Sequence, residues 1–220
     1  MRQILALLPF AALLSGCVDI PAASKRQSSR PPSSGLAAKS PAARQCLAEL
    51  GAMRANFTPL PDRYFAAGCT NLNTVNLASL RGDSASLELA NLGPVTCNAA
   101  NAFAGWARYG VDRAARQILG TPLVRIETFG SYNCRNVAGS NKRSGHATAN
   151  AIDVSGFVFA DGRRITLKGH WYSGNSAERR FLRVVHESAC KRFGTVLGPE
   201  YNAAHKDHFH LEADGASFCR

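Results

Sequence analysis

Apolar residues recur at helical spacing in three stretches of the chain and alternate with polar ones in several others. From about Cys97 to Leu119, Phe103, Trp106, Val111, Ala114 and Ile118 fall on one stripe, and Gly120-Thr121-Pro122 ends it. A shorter helix is predicted near Ala42–Ala55. A third, about Ala177–Phe193, has Ser176 in N-cap position and Glu178 in its first turn, where a carboxylate meets the positive end of the helix dipole. Leu123–Thr128 (LVRIET) alternates like a strand. Ala149–Phe159 is a second strand, turned by Asp161-Gly162 into Arg164–Leu167 as a hairpin, and a last strand lies near Asp207–Ala213. Helices and antiparallel strands in this order predict an α+β fold with a small central antiparallel sheet flanked by helices. Trp106 belongs to its core, and His186, His170 and Trp171 are read as structural.

The start of the chain has a different pattern. Arg2 precedes an apolar run, Ile4 to Leu14, too short for a membrane span but suited to a secretory signal peptide over residues 1–16. Leu14-Ser15-Gly16-Cys17 resembles the lipobox of bacterial lipoproteins, which implies lipidation of Cys17; Val18 rather than Asp implies delivery to the outer membrane. Residues 17–44 are rich in Ser, Pro, Ala, Lys and Arg, a composition that buries too little apolar surface to offset its ordering entropy. They are expected to form a flexible tether spanning ~30 Å, with one domain over residues 45–220.

Cys46, Cys69, Cys97, Cys134, Cys190 and Cys219 remain, an even set without CxxC spacing. In an exported chain this indicates disulfides rather than a metal cluster, in pairings that spacing does not fix. The formal charge of +11 favours anionic partners. Export excludes nucleic acid and points to the periplasmic side of a bacterial envelope, where peptidoglycan offers free carboxylates.

Four of the six histidines lie in two short motifs. Ser144-Gly145-His146-Ala147-Thr148-Ala149-Asn150-Ala151-Ile152-Asp153 contains His-x6-Asp, and His205-Lys206-Asp207-His208-Phe209-His210 contains His-x2-His-x-His. In a strand, His208, His210 and Glu212 share one face while Phe209 and Leu211 take the other. Ala151, Asp153 and Ser155 likewise oppose Ile152 and Val154. Neighbouring strands in that register would gather imidazoles and a carboxylate over one spot, a donor set suited to zinc with a position left for water. Alternation leaves open which three of the candidates take the metal.

The first motif resembles the Ser-x-His-x-x-Gly-x-Ala-x-Asp pattern of D-Ala-D-Ala carboxypeptidases, and with His-x-His the wider lysostaphin, D-Ala-D-Ala metallopeptidase and hedgehog group, including penicillin-insensitive murein endopeptidases. More closely, SYNCR, SGHATANAIDVSGF, FLRVVHESACKRFGTVLGP and YNAAHKDHFHLE resemble the extensin-like C-terminal domain of proteobacteria, over roughly Cys46 to Cys219. The resemblance implies His146, Asp153 and His210 as Zn2+ ligands, His208 as general base with His205 assisting, and Arg135 as a substrate or oxyanion contact, with Lys142 and Arg143 as alternatives. Ser144 and Glu212 are implied as supporting residues. The implied activity is that of a zinc metallopeptidase acting on peptidoglycan stem peptides, as DD-endopeptidase or DD-carboxypeptidase. Ala149 stands where the group's pattern has Gly, which motivates an alternative: a non-catalytic peptidoglycan-binding lipoprotein. HExxH, Gly-x-Ser-x-Gly and SxxK signatures are missing, against thermolysin-like and serine acyl-enzyme chemistry.

Overall fold

The structure is a computed structural model that describes residues 40–220; the expected signal peptide, Cys17 and nearly all of the tether lie outside the described residues. Among the described residues no helix is long and apolar enough to cross a membrane. Helix α1 (Pro41–Ala52) starts with proline at a position needing no N–H donor, and Ser40 Oγ accepts from the Ala43 amide at 3.2 Å. Six strands follow that the sequence pattern did not predict: β1 (Asn56–Pro59), β2 (Arg63–Tyr64), β3 (Thr70–Asn71), β4 (Thr74–Arg81), β5 (Ser86–Ala90) and β6 (Pro94–Thr96).

Helix α2 (Cys97–Gly105) continues through wider, π-type turns at Trp106–Asp112 and Ala115–Leu119, and ends where Gly120 adopts φ 71°. The rest comprises β7 (Leu123–Gly130), β8 (Ala151–Phe159), β9 (Arg164–Thr166), the one-turn α3 (Leu167–His170), α4 (Ser176–Cys190), β10 (Thr195–Leu197), β11 (Phe209–Glu212) and β12 (Phe218–Cys219). The N-cap of α4 is Asn175 rather than Ser176. Its Oδ1 accepts from the Glu178 amide and its own amide donates to Glu178 Oε2, a reciprocal box that a cap one residue later could not form.

The α+β class holds, but the sheet is neither small nor wholly antiparallel. Ten strands form one mixed sheet, ordered β1-β4-β5-β7-β8-β11-β10-β12, with β6 beside β4 and β9 beside β8. The β5–β7 and β10–β12 pairs are parallel. Strand β8 is its centre: β7 runs along one side, and β11 then β9 share the other.

A bulge on β8 reconciles its burial with its chemistry. Thr128 pairs with Val154 and Glu127 with Gly156, so Ser155 is the extra residue, and its hydroxyl donates to the Glu127 carbonyl. Before the bulge, Ile152 and Val154 enter the core; after it, Phe157 and Phe159 do. Asp153 is thereby released to the other face without breaking the apolar layer. The core joins Phe157 to Trp106 and Phe181, and Trp106 Nε1 donates to the Val185 carbonyl at 2.8 Å, tying the long helix to α4. Trp171 is also buried there.

All six cysteines among the described residues pair, as Cys46–Cys97, Cys69–Cys134 and Cys190–Cys219. Loops of this length correspond to roughly 3–5 kcal/mol of stabilisation each in a chain-entropy account. Truncating the ring at the core's centre, Phe157→Ala, is expected to cost about 3–5 kcal/mol in denaturant unfolding; a loss below 1 kcal/mol would contradict this packing.

Candidate metal centre

Two strands and one tight turn build the site. In the β8–β11 pair, His210 lies directly opposite Asp153, with Phe209 and Leu211 fully buried on the far face. The turn Gly145–Thr148 brings His146 to the same spot. Ser144 Oγ accepts from the His146 amide at 3.4 Å, so Ser144 supports the turn and not the imidazole.

Ala149 closes the turn at φ 54°, ψ 25°. The left-handed backbone that glycine would adopt freely is therefore present, and an alanine occupies it. Left-handed geometry costs a Cβ-bearing residue about 1–2 kcal/mol. Against that stand a smaller unfolded-state entropy, about 0.4–1 kcal/mol, and a fully buried methyl worth about 0.8 kcal/mol. The contributions nearly cancel, which accounts for alanine there.

Three side chains converge. His146 Nε2 lies 3.1 Å from His210 Nδ1 and 3.1 Å from Asp153 Oδ2, and His210 Nδ1 lies 2.9 Å from Asp153 Oδ1. The outward nitrogens fix what the inward ones carry. His146 Nδ1–H donates to the Ser131 carbonyl at 3.1 Å, and His210 Nε2–H donates to Glu212 Oε1 at 2.8 Å; neither partner can donate in return. The inward nitrogens of the neutral rings are thus bare lone pairs, aimed at each other and at a carboxylate. That is repulsive unless a cation sits among them. Tetrahedral zinc with bonds of ~2.0–2.1 Å sets its ligands about 3.3 Å apart, close to the triangle found here. The donor set fits the metal.

Without a metal, a proton takes that place. Burial opposes charge on His210, but hydrogen bonds to Asp153 and Glu212 outweigh it and raise the imidazole to about 9. Burial likewise works to raise Asp153, yet the facing imidazoles of His146 and His210 hold it well below the usual carboxylate range. Gly145 is required for this arrangement: a Cβ there would stand 2.5 Å from the Glu212 carboxylate. Glu212 thus fixes the orientation of the His210 ring through its hydrogen bond.

Of the other expected residues, His208 and His205 lie beside this triangle. His208, just before β11, directs Nε2 to 3.6 Å from Asp153 Oδ1, while its Nδ1 bonds Asp207 Oδ1 at 3.0 Å. His205 Nδ1 bonds Asn202 Oδ1 at 2.7 Å; burial, then the charges of His208 and His210, push this imidazole down to about 4. Arg135 is exposed, its guanidinium donating to the Asn136 carbonyl, and its charge reaches His205 without a contact to the triangle. Lys142 and Arg143 lie on the same exposed hairpin, where Arg143 donates to Asn136 Oδ1. Ser131, Asp207 and Asn202 were missed from sequence. Adjacency to His208 could have flagged Asp207, whereas a backbone carbonyl leaves no sequence signal. His186 and His170 lie outside the site, bonded to the Arg220 carbonyl and the Thr166 amide.

Residues 44–220 match the family described as extensin-like protein C-terminus. No curated protein and no solved structure matches the chain.

Two outcomes follow from the site's energetics. Ala149→Gly is expected to shift stability by less than about 1 kcal/mol in either direction; a larger change in chemical unfolding would show the ledger at this turn to be wrong. His210 in metal-free protein has a folded value raised from 6.5 to about 9, so its stabilisation is complete below about pH 6.5 and lost as pH rises through about 9. Thermal melts of chelator-treated protein should fall over that window, and His210→Gln should flatten the slope.

Proposed function

The chain belongs to the extensin-like protein C-terminus family, and from that membership and the convergent lone pairs we propose that it is a zinc-dependent peptidase cutting amide bonds in peptidoglycan stem peptides. His146, Asp153 and His210 are the proposed ligands, with Ser131 and Glu212 fixing the two imidazoles. The kinship of its motifs with D-Ala-D-Ala metallopeptidases belongs to this proposal. The lipobox-like Leu14-Ser15-Gly16-Cys17 supports placement as a lipoprotein on the periplasmic side of the outer membrane, with the following segment reaching into the wall.

Zinc bound at the triangle supplies a Lewis acid that polarises a peptide carbonyl and lowers the pKa of water. The chain's own groups do the rest. His208 gives its Nδ1–H to Asp207, which leaves Nε2 bare and facing the site. From there it takes the proton of an attacking water and delivers it to the departing amine. His205 is neutral at neutral pH, so it adds no charge beside that imidazole. Arg135 offers an exposed cation to a substrate carboxylate or to the oxyanion.

The observation that carries this reading is the meeting of two lone-pair nitrogens and a carboxylate within 3.1 Å. Its test combines metal analysis with mass spectrometry of peptidoglycan digests. Wild-type protein should hold about one zinc and release cleaved stem peptides. Asp153→Asn should lose the zinc, while His208→Ala should keep it and lose about 10²–10⁴-fold in turnover. Zinc-replete protein that binds peptidoglycan without cutting it, over a range of pH, would replace this reading with the non-catalytic one.

A further inference from the structure

A file of four rings runs beside the triangle. Tyr201 meets His205 edge-on at 5.5 Å between centroids, His205 lies 5.2 Å from His208, and His208 meets Phe129 edge-on at 5.7 Å. The imidazoles are the inner pair, partly or largely buried, whereas Phe129 is 61% exposed and Tyr201 42% exposed. Each outer ring packs against a histidine and leaves much of its surface to solvent. Tyr201 is braced behind by Phe218 at 5.8 Å. Phe129 is the outward residue between Thr128, buried under the Ala90 carbonyl, and Gly130, paired with Asp153. Its position is therefore set by the strand that borders the metal ligand.

Neither aromatic is accounted for by the core. An exposed phenylalanine is unremarkable alone, but two exposed aromatics bracketing a polar cluster match the composition of a ligand site. Resting on the peptidase reading of this site, we propose that Phe129 and Tyr201 are the two side walls of the substrate cleft and determine specificity. They would admit peptides with uncharged, aliphatic side chains on the residues flanking the scissile bond. The backbone amide then lies over the histidines, where polar partners await it. Each side chain packs on an aromatic ring, and a charged side chain there would be desolvated without a partner.

The test uses zinc-loaded full domain with purified muropeptides, and synthetic peptides carrying alanine or glutamate on either side of the cut bond. Phe129→Ala is expected to lower kcat/KM for the alanine peptide roughly tenfold or more, with Phe129→Leu restoring part of it. Zinc content and melting temperature should stay unchanged, since the ring is exposed. The glutamate peptide should be poor for wild type and lose its disadvantage in Phe129→Ala. Unchanged kcat/KM and unchanged discrimination would overturn the proposal. Should wild type cut nothing, the peptidase reading fails but the wall is still decided by calorimetric binding of the same peptides. Weaker alanine-peptide binding by Phe129→Ala or Tyr201→Ala supports it, and equal binding refutes it.

Discussion

Three electron-rich atoms held against one another are the constraint on which the site depends. Two imidazole nitrogens, each left bare by the hydrogen bond behind its ring, and an ionised carboxylate stand about 3 Å apart in a largely buried site. Such an arrangement persists only if a positive charge neutralises it. The chain supplies a proton on His210, raised to about 9 for that purpose, and the proposed zinc would displace it. Proton and metal thus compete for one seat, and the same hydrogen bonds that hold the first prepare the rings for the second.

Much of the fold maintains that confrontation. The direct pairing of His210 with Asp153 depends on the register between β8 and β11, and that register is enforced from behind by Phe209, Leu211, Ile152 and Val154, all buried. A one-residue slip would send the imidazole into the apolar layer. The bulge at Ser155 lets the rest of β8 return its phenylalanines to that layer. Gly145 makes room for the Glu212 carboxylate, and the Cys69–Cys134 disulfide anchors the segment after Ser131, whose carbonyl steers His146.

How much of this was legible in the sequence depended on locality. Alternation in KDHFHLE and NAIDVSG foretold which faces of two strands carry chemistry, because buried Phe209 and Ile152 force their neighbours outward. The resemblance of those segments added a ligand set, which the structure gathers into one triangle. The first half of the sheet was not legible. Strands β2 and β3 are two residues each, too brief for alternation to register, while the eight-residue β4 opens with two consecutive buried residues, Thr74 and Val75, which breaks the period-two pattern. Parallel pairing of β5 with β7 joins segments separated by the whole long helix, a relation no local pattern encodes. Asn175 took the cap from Ser176 because a reciprocal bond with Glu178 decides it, not residue preference. At Ala149 the pattern flagged a departure, and only the backbone angle revealed that the left-handed conformation had survived it.

The most direct measurement is X-ray absorption at the zinc edge on protein expressed and purified in its folded, disulfide-bonded form. The expected spectrum is that of a four-coordinate ion with two imidazole nitrogens and oxygen donors at ~2.0–2.1 Å, lost in Asp153→Asn. A spectrum dominated by sulfur at ~2.3 Å, or protein that takes up no zinc while fully folded, would contradict it.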